Sequence, residues 1–181
     1  MKNPLLVVSL VLLLCFAFGC QNKVEKAELE KLKAQAEIEA QNIELIKKLF
    51  GELSNRNAEI FYELYAPDAK YYFPSRITTP ISRDDEAAQA KMFFAAFPDV
   101  TSEVVDIFAI KDQVIARTIV RGTHQAEMEG IPATGNKVEF SALLVFRIKD
   151  GKVVEELEEA DMLGLMQQLG MELKPKQAEK K

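Results

Sequence analysis

Histidine, cysteine and clustered positive charge are scarce in this 181-residue sequence. It holds one histidine, His124, and two cysteines, Cys15 and Cys20. That set argues against a dedicated zinc site of nitrogen and sulfur ligands. The carboxylates are scattered without metal-ligand spacing, so no metal is expected. The formal net charge is -5 and no basic patch alternates with aromatics, which argues against a nucleic-acid partner.

The amino terminus has a short positive start, "MK", an apolar run, "LLVVSLVLLLCFAF", and then "GC". This run is too short for a comfortable membrane span and has the layout of a secretory signal. Ala17, Phe18 and Gly19 ahead of Cys20 resemble a bacterial lipobox. The resemblance implies cleavage before Cys20 and lipidation of that cysteine, palmitate included. The expectation is a membrane-anchored lipoprotein of the cell envelope. Gln21 after the cysteine implies the outer membrane, facing the periplasm, if the cell has two membranes. A plain signal peptide cleaved nearby, with Cys20 left free, is the other reading. On either reading Cys15 is discarded, so no disulfide can close within one mature chain and a packed core must hold the fold. The expected divisions are a signal over 1–19, a lipidated terminus and helical spacer over 20–37, one domain over 38–173, and a disordered basic tail over 174–181. The third division is long enough for an independent core.

"QNKVEKAELEKLKAQAEIEAQNIELIKKLFGELS" is rich in helix formers and lacks proline. Its early part is charged; from Ile38 an apolar face of Ile43, Ile46, Leu49 and Leu53 follows near-helical spacing. A second helix is expected from Asn55 through Tyr65, ended by "APD", with "KYYFP" as a short strand. Ser82 and Asp85 fit a capping box for a third helix, which Pro98 stops. Beyond it the period changes to that of strands: "TSEVVDIFAI", "QVIARTIVRGTHQ", "KVEFSALLVFRI" and "KVVEELEEA", the last two joined by the tight-turn pair Asp150-Gly151. "DMLGLMQQLG" closes the domain as a short helix. Helices first and antiparallel strands afterwards read as α+β.

Val138, Phe140, Ala142, Leu144, Phe146 and Ile148 share one strand face, and the opposite face is mixed. Two partly apolar faces suggest helices over one side and a partner chain over some of the other, hence a homodimer through the sheet face.

Phe97-Pro98-Asp99, Gly122-Thr123-His124, Gly130-Ile131-Pro132, Thr134-Gly135, Asp150-Gly151-Lys152, Asp161 and Gln168-Leu169-Gly170 together resemble the SnoaL-like polyketide cyclases, or ester cyclases, over residues 42 to 171. The resemblance implies a cone-shaped α+β barrel, with N-terminal helices against a curved antiparallel sheet around a deep pocket. It also implies cofactor-free, aldol-type ring closure, with Asp161 as acid/base and His124 in the same pocket. Tyr72, Gln125 and Gln168 are the candidate supporting donors. The residues also allow other roles. Asp161 can cap the last helix, His124 can be a satisfied strand histidine, and "EGIPATGN" can serve a bend. Where members carry a histidine before proline, this chain has Phe73 before Pro74, and Leu157 stands where tryptophan is common. Both differences point away from aromatic polyketide substrates. Three functions follow: proton abstraction with cyclisation or isomerisation of a small carbonyl compound, non-catalytic binding of a small apolar ligand, or assembly with envelope proteins.

Overall fold

In the computed structural model, which describes residues 4–74, 79–172 and 174, the proline-free stretch lies within α1 (Pro4–Ser54). Side chains are described from Val24 onward. Those of the signal segment and Cys20, and the basic tail after Lys174, lie outside the described residues. Among the described residues no helix is long and apolar enough to cross a membrane. Two compact units are distinguished, Met1–Ile38 and Glu39–Lys181. In the first, Val24, Leu29, Leu32 and Ile38 are exposed. Ile38 was expected to open the domain's apolar face. That face instead begins within the second unit, where Asn42, Ile46, Leu49 and Phe50 are buried at helical spacing.

The second unit continues with α2 (Ile60–Leu64), β1 (Tyr65–Tyr72), β2 (Ile81–Ser82), α3 (Arg83–Ala96), β3 (Thr101–Ile110) and β4 (Gln113–Thr123). After these come β5 (Lys137–Lys149), β6 (Lys152–Ala160) and α4 (Met162–Gln168). The "APD" segment does not end a helix; it lies inside β1. Tyr65 already pairs with Val153, and the register slips between Tyr65 and Lys70. Pro67 falls within that irregularity, where its missing N–H breaks no regular ladder.

The sheet has six strands in the order β2-β1-β6-β5-β4-β3. Its neighbours are antiparallel except β1 and β6, which run parallel. The expected cone-shaped barrel with a wholly antiparallel curved sheet is therefore not what forms. The sheet is mixed and open, and its end strands β2 and β3 do not pair. Closure would need a long ladder at β2, but that strand pairs only Ile81 and Ser82, with Tyr71 and Lys70.

Alternation sorts β5 cleanly: Val138, Phe140, Ala142, Leu144, Phe146 and Ile148 are buried. The aligned registers extend this face sideways into rows. Val114, Phe146, Glu156 and Tyr71 form one, and Ala116, Leu144 and Glu158 the next. Helical residues Ile46, Leu49, Phe50, Ile60 and Phe61 pack on the same cluster, with Phe50 edge-on to Phe146 at 6.1 Å. A second cluster joins Phe97, Val100, Val120, Phe140, Leu165 and Leu169. The other face keeps Phe108 and Leu143 exposed among ion pairs such as Arg117–Asp106 and Arg121–Glu139.

The Asp150-Gly151 turn places both residues at positive φ, as the tight hairpin requires. The capping box at α3 is complete: Asp85 N–H donates to Ser82 Oγ, and Ser82 N–H donates to the Asp85 carboxylate, both at 3.2 Å. Ser82→Ala should therefore cost about 1 kcal/mol, lowering Tm by about 2–4 °C for a chain of this size. Thermal unfolding followed by circular dichroism measures it.

Candidate functional site

Alternation along β6 puts two glutamates where apolar side chains are the rule. Counting back from Ala160, Glu158 and Glu156 fall on the helix-covered face, opposite Leu144 and Phe146 of β5. Glu86 approaches the same space from α3, one residue before the fully buried Ala87.

These side chains border a cavity of about 720 Å³, within the range of about 300–1,000 Å³ common for small-molecule sites. Phe61, Tyr71, Phe73, Phe93, Phe94 and Phe140 supply its aromatic wall, and Glu86, Gln89, Glu127, Glu129 and Glu158 its principal polar groups. Glu156 lies beneath it, buried.

Hydrogen bonding distinguishes the three carboxyls. Tyr71 donates its O–H to Glu158 at 2.5 Å. Tyr65 donates to Glu156. Glu86 Oε2 is buried and has no hydrogen-bond partner.

Burial raises the proton affinity of all three carboxyls, because the charged form loses hydration. Glu158 is raised by burial, and the Tyr71 hydrogen bond partly opposes this. Glu86 is pushed up to about 8, by burial first and by the Glu158 charge second. Glu156 is held well above the usual carboxylate range, by burial and then by the charges of Glu86 and Glu158. Ionising any one of the three therefore makes ionising the others harder. Tyr65 and Tyr71 are raised by burial and by these neighbours, and stay protonated donors.

The residues expected to form the site are placed elsewhere. Asp161 is exposed at the start of α4, where its carboxylate accepts from Gly164 N–H at 2.8 Å. A Cβ on Gly164 would sit 2.2 Å from that carboxylate, so the Asp-x-x-Gly spacing is a capping geometry. His124 is fully buried. Its Nδ1 accepts from Thr134 N–H at 3.3 Å and lies 3.1 Å from Thr134 Oγ1, which leaves the proton on Nε2. Its ring packs on Phe97 at 5.2 Å. Gln168 is spent on the backbone of Glu139, accepting from its N–H at 2.8 Å and donating to its carbonyl at 2.9 Å. Tyr72 pairs beside Leu157, on the face opposite Tyr71. Gln125 is exposed and donates its N–H to the Ala96 carbonyl. None of these five side chains borders the cavity.

Glu86, Glu156, Glu158 and Tyr71 were not anticipated. A run such as "VVEELEEAD" reads as a solvated edge. Its signal was the two-residue spacing of Glu156, Glu158 and Ala160, which holds them on one face. Among the described residues no group of three or more His, Cys, Asp or Glu is arranged to hold a metal ion.

The profile of the SnoaL-like polyketide cyclases matches residues 44–169. The chain belongs to that family. Among solved structures it is similar to AclR, a candidate hydroxylase from Streptomyces galilaeus. Identity is 30% over 72% of this chain and 96% of that one, with a TM-score of 0.67. It is also similar to IdmH, a candidate polyketide cyclase from Streptomyces antibioticus, with 32% identity over 71% and 97% of the two chains and a TM-score of 0.62. A SnoaL-like protein from Jannaschia sp. CCS1 shares the fold at 23% identity over 75% and 96% of the chains, with a TM-score of 0.68. Comparison with curated proteins gives no match. The relatives with identities near 30% carry different candidate reactions.

A carboxyl whose folded pKa exceeds its unfolded value lowers stability as pH rises between the two, because the unfolded chain releases its proton first. For Glu86 that window runs from about 4.5 to about 8. The groups facing Glu86 are Glu156, Glu158, Tyr65 and Tyr71, so Glu156 and Glu158 add to the same trend. Tm should fall from pH 5 to pH 8, and Glu86→Gln should flatten part of that slope. Each kilocalorie regained is worth about 2–4 °C. Melting curves across the pH range decide it.

Proposed function

We propose that this protein binds a small, largely apolar carbonyl compound in the cavity and exchanges a proton with it, without a cofactor. One observation carries the reading: Glu86, with Oε2 unpartnered and its proton kept near neutrality, stands on the same aromatic-walled cavity as Glu158, whose carboxyl accepts from Tyr71. Two carboxyls in different hydrogen-bonding environments can divide the acid and base roles between them.

In this scheme Glu158, held by Tyr71, takes the proton from the carbon next to the carbonyl. Glu86 donates to the carbonyl oxygen as enolate charge develops there. The enol carbon then either attacks a second carbonyl of the same molecule, forming a carbon–carbon bond, or regains a proton at a different position. The first course is aldol-type cyclisation and the second isomerisation. In either course the enol O–H proton returns to Glu86 as the carbonyl re-forms, and Glu158 gives its proton to the new alkoxide in cyclisation or to carbon in isomerisation. The family resemblance offered Asp161 and His124 for these tasks. The cap at Asp161 and the buried, Thr134-bonded ring of His124 favour supporting roles instead.

A substrate-independent assay follows α-hydrogen exchange of 2-tetralone in D2O by NMR. The full chain should accelerate exchange, and Glu158→Gln should lower the rate by about 10²- to 10⁴-fold, the usual contribution of a positioned base. Asp161→Asn should keep exchange within a few-fold while costing about 1 kcal/mol of stability as a weakened cap. Loss of exchange in a folded Asp161→Asn protein, with Glu158→Gln unaffected, would return the base to Asp161. Binding of the ketone without exchange would instead make this a ligand-binding protein.

We also propose, from the lipobox-like Ala17-Phe18-Gly19-Cys20, that the domain is tethered to a membrane of the cell envelope by lipid on Cys20. Each buried methylene contributes about 0.8 kcal/mol to such anchoring. Cells fed labelled palmitate should label the wild type and not Cys20→Ser. Equal labelling of both would discard the tether.

A further inference from the structure

The cavity's charge is one-sided. Glu86, Glu127, Glu129 and Glu158 border it, and no lysine, arginine or histidine does among the described residues. The basic residues of α3 are engaged elsewhere. Arg83 lies by Asp84 with its guanidinium 4.8 Å over the Tyr62 ring, and Lys91 pairs with Glu59 at 2.7 Å. Tyr71 satisfies Glu158, whereas Glu86 Oε2 is buried without a donor. The side chains of Phe61, Phe73, Phe93 and Phe140 line the same cavity. Carboxylates among aromatic rings, with no resident counter-ion, favour a desolvated cation by charge, and by ring quadrupole wherever it meets a ring face.

We propose that the cavity selects a cationic ligand: an apolar or aromatic molecule bearing an ammonium group, which donates to Glu86 and supplies the positive charge that the protein withholds. An anionic ligand, such as a free carboxylic acid, is disfavoured by the same glutamates. The proposal rests on the cavity being the ligand site, and it narrows the ligand class from carbonyl compounds at large to amine-bearing ones. An ammonium close to a carbonyl acidifies the intervening C–H, which suits the task assigned to Glu158. In such a substrate the ammonium charge, in place of the Glu86 proton, would stabilise the enolate.

Three probes of one shape separate charge from size and from hydrogen bonding: 3-phenylpropylammonium, 3-phenylpropan-1-ol and 3-phenylpropanoate. Their affinities for the full chain are measured by calorimetry at low salt and about pH 9, where Glu86 is ionised. The ammonium should bind at least about tenfold tighter than the alcohol, a difference of about 1.4 kcal/mol, and the carboxylate weakest. That preference should shrink at pH 6, where binding the ammonium must release the Glu86 proton to the buffer. It should shrink again in Glu86→Gln and Glu158→Gln, and in high salt. Alcohol binding as tight as ammonium overturns the proposal whatever the variants do. If the alcohol leads while 2-tetralone still exchanges, proton transfer stands and the cationic class falls. If none of the probes binds and 2-tetralone neither binds nor exchanges, both readings fall.

Discussion

Glutamate carboxyls confined with tyrosines under a layer of helices set the terms for the rest of this domain. A carboxylate stripped of water is strongly destabilised unless it is paired or neutralised. The fold meets this in a graded way. Glu156 is deepest and takes the Tyr65 hydroxyl; Glu158 opens on the cavity and takes the Tyr71 hydroxyl. Glu86 receives no hydrogen bond on Oε2 and keeps its proton instead. The surrounding rows of Phe146, Leu144 and Val114 provide both the low polarity and the rigidity on which that grading depends.

The short blocks that carry the family resemblance serve a different purpose. Asp99 accepts from Thr123 N–H at 2.6 Å and from its hydroxyl at 2.7 Å, joining the end of α3 to the end of β4. Gly122 allows Phe97 to approach, since a Cβ there would meet it at 3.2 Å. Thr134 holds His124, Asn136 reaches the Gln168 carbonyl, and Gln168 clasps Glu139. These contacts tie together one end of the sheet, α3 and α4. They preserve a scaffold through which different cavities can be presented.

Local rules made much of the fold legible. The alternation in β5, the Ser82–Asp85 box, the Asp150-Gly151 hairpin and the cap at Asp161 depend on neighbours in sequence, and each stood where the residues implied. The parallel pairing of β1 with β6 joins segments far apart in the chain, and Pro67 disguised the start of β1 as a helix end. The open edge at β2 was equally hidden, because closure depends on the length of a ladder formed with a distant strand. The cavity chemistry was obscured for a related reason. Glu156 and Glu158 lie in an acidic run whose composition speaks of solvent, and the facts that bury them are supplied by β5, β1 and α3.

Placing one carboxyl on α3 and its counterpart on β6 has a mechanical corollary. Their mutual repulsion, once both are ionised, acts across the seam between helix and sheet, pressing apart the two surfaces that Phe93 and Phe140 bring together edge to face at 6.4 Å. Anything that discharges one of the pair, a proton or a cationic guest, removes that repulsion.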